Sequence, residues 1–157
     1  MTPKNTPPST KRRRSTLLVV EDNADQWYVI RMALEQRFPE VDPVWVIDAT
    51  QAILYLESCE NDPIRLPRLV LLDLYLPTRD IGWQLLQIIK THYLYREIPV
   101  VVLSASADQE DIVESYMLRS NSYIVKPGSV DKWHECISAF RHYWWDAVTL
   151  PKLVNHR

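Results

Sequence analysis

LVLLDLYLP, residues 69–77, opens with four branched apolar side chains and places an acid, Asp73, where the run stops. A run this short and this uniformly apolar reads as a strand covered on both faces, as in a parallel sheet. Pro77 keeps any regular ladder from continuing past the acid.

Four more segments fit this reading. Leu17 to Val20 precedes Glu21, Asp22 and Asn23, and Val44 to Ile47 makes a second short strand. Val100 to Leu103 ends at Ser104, and Tyr123 to Val125 ends at Lys126 and Pro127. Helical spacing fills the gaps. Residues 25–36 carry Trp27, Ile30, Ala33 and Leu34, and Pro39 closes that helix. Asp48 is placed to cap a helix through Leu56, and the stretch 61–67, with two prolines, reads as loop. Gly82 and Trp83 lead into a helix to about His92 whose stripe is Leu85, Leu86, Ile88 and Ile89. Residues 108–119 predict a helix with Ile112, Val113, Tyr116 and Met117 as its apolar face. Ser129 is placed to cap a last helix to about Val148, before Pro151. Five strands alternating with five helices predict one doubly wound α/β domain with a five-stranded parallel sheet.

The 157 residues are enough for such a domain without disulfides or a structural metal. The two cysteines, Cys59 and Cys136, have no metal-ligand spacing and read as small core residues. No apolar run approaches a membrane span and the first residues lack a signal region, so a cytoplasmic protein is expected. Residues 1–16 hold Lys4, Lys11, Arg12, Arg13 and Arg14 and no acid. That leaves 13 basic against 20 acidic side chains in residues 17–157, a net of −7, which argues against a general nucleic-acid-binding face. The basic, proline-containing arm reads as a flexible leader. The domain is expected over residues 17–150, with a tail at 151–157.

In an open α/β sheet, ligands bind beyond the carboxyl ends of the strands. Glu21 and Asp22, Asp73, Ser104 and Lys126 all occupy such positions. Three converging carboxylates repel one another, and a hard cation with oxygen ligands relieves this; Mg²⁺ suits a site that also takes a phosphoryl group. An oriented carboxylate can attack phosphorus while metal, ammonium and hydroxyl neutralise the equatorial oxygens, and Asp73 is the best placed of the three. Singly, each residue is as ordinary as a helix cap or a loop charge; the combination is what singles them out.

With these residues in view, the sequence resembles the response regulator receiver domains of two-component signalling. The matching segments are LLVVEDN (17–23), LVLLDLYLP (69–77), IPVVVLSAS (98–106) and SYIVKP (122–127). The resemblance implies a flavodoxin-like fold with strand order 2-1-3-4-5. It implies Asp73 as phosphoacceptor from a phosphohistidine on a sensor histidine kinase. Asp22 and Asp73 would ligate Mg²⁺ directly, Glu21 through water, and Tyr75 through its backbone carbonyl. Ser104 would bond the phosphoryl oxygen, Lys126 would pair with it, and Tyr123 would be an aromatic switch. Signalling would repack the face formed by the fourth helix, fifth strand and fifth helix, and no DNA-binding output domain is expected.

The aromatic end, with Trp133, Phe140, Tyr143, Trp144, Trp145 and then DAVTLP, is similar to the single-domain receivers that partner cyanobacterial phytochromes, as are PRLVLLDLYLP and the 61–67 insertion. This implies a light-regulated kinase partner. Trp133, Ile137, Phe140, Trp144 and Val148 recur as one core stripe. Trp145 falls off it, so a homodimer through the end helix is expected.

Three departures from the family pattern stand out. Asp73 to Gly82 is nine steps, one longer than usual; Arg119-Ser120 replaces the common Gly-Ala; and Ser104 replaces a commoner threonine. A haloacid dehalogenase-type phosphatase would want a second acid where Tyr75 stands, and two glycines, Gly82 and Gly128, exclude a glycine-rich phosphate loop. A degenerate receiver acting as a phosphorylation-independent interaction module is the remaining alternative. The four histidines, His92, His134, His142 and His156, match no ligand or triad spacing.

Overall fold

A computed structural model describes residues 14–151. The expected basic arm therefore lies outside the described residues up to position 13, as does the tail beyond Pro151. Ser15 and Thr16, expected in the arm, already belong to the sheet. The strands are β1 (Ser15–Val20), β2 (Val41–Val46), β3 (Leu69–Asp73), β4 (Val100–Ser104) and β5 (Ser122–Val125). The helices are α1 (Ala24–Arg37), α2 (Ala49–Ser58), α3 (Arg79–Thr91), α4 (Gln109–Met117) and α5 (Val130–Arg141), with a 3₁₀ turn at Pro63–Arg65. All pairings are parallel, in the order β2-β1-β3-β4-β5.

Alternation along the strands divides the core in two. Leu18, Val20, Leu72 and Val102 face Ala52 and Leu56 of α2 and Leu85, Leu86 and Ile89 of α3. Leu17, Val19, Leu71 and Val101 face Ile30 and Leu34 of α1 and Trp133, Ile137 and Phe140 of α5. Side-chain oxygens of Asn23, Asp48 and Ser129 cap α1, α2 and α5 by accepting backbone N–H bonds from Gln26, Gln51 and Lys132.

Several boundaries differ from the sequence reading. β2 starts at Val41 and includes Pro43, which an edge strand tolerates. α3 begins at Arg79, three residues before Gly82. A Cβ on Gly82 would sit 1.8 Å from the Leu74 carbonyl oxygen, so the glycine is required by close packing of α3 on the preceding loop.

Most of the expected apolar face of α4 is turned outward, only Ile112 being half-buried. Asp111 and Ser115 are buried, whereas Val113 and Tyr116 are exposed and Met117 is 73% exposed. Asp111 and Ser115 face inward because they hydrogen-bond to residues of the β3–α3 loop and α3. The helix ends in a Schellman turn, with Ser120 N–H bonded to the Ser115 carbonyl at 3.0 Å and Arg119 N–H to that of Tyr116 at 2.9 Å. Arg119 takes the left-handed conformation there, at φ 72°, and the buried Ser120 hydroxyl has no partner among the described residues.

The last helix is regular only to Arg141, and His142–Ala147 winds as a π-helix. With 100° per residue, Trp144 and Trp145 would diverge. The wider turn lets Trp144 pack on the core beside α5 while Trp145 sits edge-on to Phe38 at 5.7 Å, leaving Trp145 36% exposed. Arg141 pairs with Glu40 and, at 3.0 Å, with Asp146, tying this segment to the α1–β2 turn. Cys59 is buried as expected, but Cys136 is only half-buried.

Candidate functional site

Because every strand runs the same way, β1, β3, β4 and β5 end at one edge of the sheet. The register sets Asp73 beside Leu103 and Ser104 beside Val125. Glu21, Asp22, Asp73, Tyr75, Ser106 and Lys126 consequently line one open cleft of about 910 Å³. The Lys126 ammonium lies 2.9 Å from Oε2 of Glu21 and 3.4 Å from Oδ2 of Asp73. Oδ1 of Asp73 accepts the Tyr75 N–H at 3.3 Å, and Oε1 of Glu21 accepts the Asn23 N–H at 3.2 Å.

Glu21 and Asp73 are buried and Asp22 is exposed. Burial pushes the Asp73 carboxyl up to about 7; the Lys126 ammonium opposes this and the Glu21 carboxylate adds to it. Oxygens of all three acids lie within 4.8 Å of one another. Three hard oxygen donors against one ammonium make a cluster that fits a divalent cation of the magnesium type.

Ser104 is fully buried under the cleft and its hydroxyl accepts the Ser106 N–H at 3.1 Å. The Tyr123 ring packs on the α2–α3 side of the core, and its hydroxyl donates to the Ser106 carbonyl at 2.8 Å. Ser106 thus touches both residues, a role the sequence reading did not assign. Also missed was Trp45, whose indole N–H donates to the Glu21 carbonyl at 2.8 Å and whose ring stacks on Trp27. Two more missed residues, Arg79 and Asp111, join the Tyr75 side of the cleft to α4. The extra residue in the β3–α3 loop was the only sequence signal for Arg79. At the opposite end of the sheet a second cleft, of about 570 Å³, is lined by Leu66, Pro67, Pro99, Val148 and Leu150, and it has no comparable charge cluster.

The fold and this charged edge define a receiver. The family model for the response regulator receiver domain matches residues 17–138, and the chain belongs to that family. Among relatives, the regulatory protein FilR2 of Methanothrix harundinacea (strain 6Ac) is 37% identical over 128 residues, covering 82% of each chain. Response regulator Rcp1 of Synechocystis sp. is 31% identical over 138 residues, covering 86% of this chain and 92% of its own. The crystal structure of the phosphorylated cyanobacterial phytochrome response regulator RcpA superposes with a TM-score of 0.79 at 33% identity, covering 89% of this chain and 100% of the other. The Mn²⁺-bound form of Rcp1 does so at 0.76 and 30% identity, covering 88% and 99%. Among the described residues, no helix is long and apolar enough to cross a membrane.

Proposed function

We propose that this protein is a cytoplasmic response regulator that takes a phosphoryl group from a sensor histidine kinase onto Asp73. One observation carries the reading: Asp73 ends the central strand in a cleft where Lys126 and two further carboxylates meet it. An Asp73 carboxylate oxygen attacks phosphorus, the P–N bond of the phosphohistidine breaks, and the imidazole nitrogen leaves with the electron pair. Lys126, 3.4 Å from Asp73, would transfer its pairing to a phosphoryl oxygen, and the Ser104 hydroxyl, buried beneath the cleft, would move to donate to another. Mg²⁺, held by Asp22 and Asp73 directly, Glu21 through water and the Tyr75 carbonyl, would supply neutralisation of the equatorial oxygens. The phosphoryl group puts about −1.5 to −2 charges where the carboxylate carried −1, adds acceptor oxygens, and favours the packing in which Ser104 and Tyr123 are drawn in.

Similarity to RcpA and Rcp1 supports a phytochrome-type kinase as the donor, with the receiver unit extending through the aromatic end segment. The exposed edges of Tyr143 and Trp145 support a homodimer through that segment; a sedimentation mass that stays monomeric at all concentrations would refute it.

The test of the central reading is an intact-mass spectrum after incubation with acetyl phosphate, with and without Mg²⁺. One phosphoryl group should be gained by the wild type only with Mg²⁺, and none by Asp73→Asn. A wild type that gains none would point instead to a phosphorylation-independent interaction module.

A further inference from the structure

The inverted face of α4 leads to the strongest observation outside the phosphoacceptor chemistry. Asp111 is a carboxylate at 0% exposure on a helix that turns its apolar residues to solvent. Its Oδ2 accepts the Tyr75 hydroxyl at 2.7 Å and its Oδ1 accepts Nη1 of Arg79 at 2.8 Å. Arg79 also reaches Glu110 at 3.2 Å and lies over the Trp83 ring at 5.1 Å. The Trp83 indole N–H donates to the Ser115 hydroxyl at 3.3 Å, and that hydroxyl donates to the Asp111 carbonyl at 2.7 Å. Both buried polar side chains of α4, Asp111 and Ser115, accept a hydrogen bond from the β3–α3 loop or α3.

Tyr75 is the hinge of this network. Its backbone N–H donates to Oδ1 of Asp73 and its hydroxyl donates to Asp111, so one residue touches both the phosphoacceptor and α4. Burial alone would raise the Asp111 carboxyl; bonds from Ser106, Tyr75 and Arg79 instead hold it below the usual carboxylate range, so it is charged at neutral pH. A buried carboxylate stripped of its donors is strongly disfavoured. The loop and the first turns of α4 therefore have good reason not to part.

We propose that the Asp111 carboxylate clamps the β3–α3 loop to α4, so that the loop and the start of α4 respond to phosphorylation as one body. This link through Tyr75 and Arg79 meets the contacts of Ser104 and Tyr123 only at Ser106, which bonds Asp111 as well, and it rests on the reading of Asp73 as phosphoacceptor. Asp111, Tyr75 and Arg79 act here as positioning residues. The nine-step spacing from Asp73 to Gly82 belongs to the same device, because Gly82 keeps its contact with Leu74 while the first turn of α3 begins with Arg79.

Hydrogen exchange of the full chain, at rest and after acetyl phosphate with Mg²⁺, tests the clamp on wild type, Tyr75→Phe and Asp111→Asn. At rest, both variants should exchange faster in segments 74–79 and 109–117 together, by about threefold or more, with α5 unchanged. At phosphoryl occupancies matched by intact mass, the wild type should change exchange in α4 and in 122–125. The variants should lose the α4 change and keep that of 122–125; a merely structural role would shift both states equally. Resting exchange of α4 unaffected by Tyr75→Phe, or an α4 response in the variants as large as the wild type's, would overturn the clamp. Tyr75→Phe removes one partly exposed oxygen and decides the matter if Asp111→Asn does not fold. A wild type that takes no phosphoryl group overturns the phosphoacceptor reading instead, and the resting comparison then judges the clamp alone.

Discussion

α4 and α5 stand on either side of β5 in the chain and are held to the molecule by different forces. α5 buries Trp133, Ile137 and Phe140 against the sheet and α1, so its attachment is broad, apolar and without directional preference. Among the described residues, α4 contributes no side chain to either core cluster, and what it buries is Asp111 and Ser115. An attachment made of a few directional bonds has discrete arrangements, whereas one made of packed rings tolerates little but its own geometry. The difference teaches that α5 is held by the core as scaffold, whereas α4 is held to the β3–α3 loop and α3 by a few directional bonds.

The sharpest way to break that contrast is on α5. Phe140→Ala should cost about 3–5 kcal/mol in urea unfolding, the usual loss for a buried aromatic. A cost under about 1 kcal/mol would mean that α5 is no scaffold. Next in size is Arg119→Gly at the end of α4. A left-handed non-glycine residue costs roughly 1–2 kcal/mol, and the added chain entropy of glycine offsets part of the relief. The net gain should be about 0.5–1 kcal/mol, read from the same unfolding curves.

A smaller effect should appear at the far end of α5, where the Arg141 side chain, hydrogen-bonded to Glu40, holds the Glu40 carboxyl below its usual 4.5. A lowered acid stabilises fully above the unfolded value and loses that contribution as pH falls through the folded one. Glu40→Gln should therefore flatten the fall in urea midpoint between about pH 5 and 3, and change little at pH 7 relative to Phe140→Ala. Smallest of all, Met117→Ser on the outward face of α4 should alter stability by no more than about 0.5 kcal/mol. A loss near that of Phe140→Ala would show that α4 is packed like α5 after all.

The two helices also mark what was legible in the chain. Strands β1, β3, β4 and β5 were readable because each contains an unbroken apolar run, and their polar terminators were readable because a parallel sheet gathers them at one edge. The α5 stripe was readable for the same reason: its buried partners are apolar and periodic. α4 was misread because periodicity counts apolar residues and takes an acid for solvent, whereas Asp111 is satisfied by Tyr75 and Arg79, more than thirty residues away. Nothing local in the sequence encodes those partners. β2 was foreshortened because Pro43 is harmless only on an edge strand, and edge position is a property of the whole sheet. The extent of the last helix, to about Val148, was readable, but its change from α to π winding after Arg141 was not, because the pattern of apolar residues does not report which turn the backbone takes.

The stacked pair of Trp27 and Trp45 has an optical consequence. Their rings lie 5.5 Å apart and 12° from parallel, close enough for their electronic transitions to couple and to leave a signature in near-ultraviolet circular dichroism. Trp45 also holds the backbone carbonyl of Glu21 through its indole N–H, so the coupled pair is mechanically joined to the rim of the charged cleft. A ligand at the cleft that displaced the Glu21 backbone carbonyl would alter the spacing or tilt of the two chromophores. The pair thus offers an intrinsic optical gauge of the charged cleft, one that needs no added label.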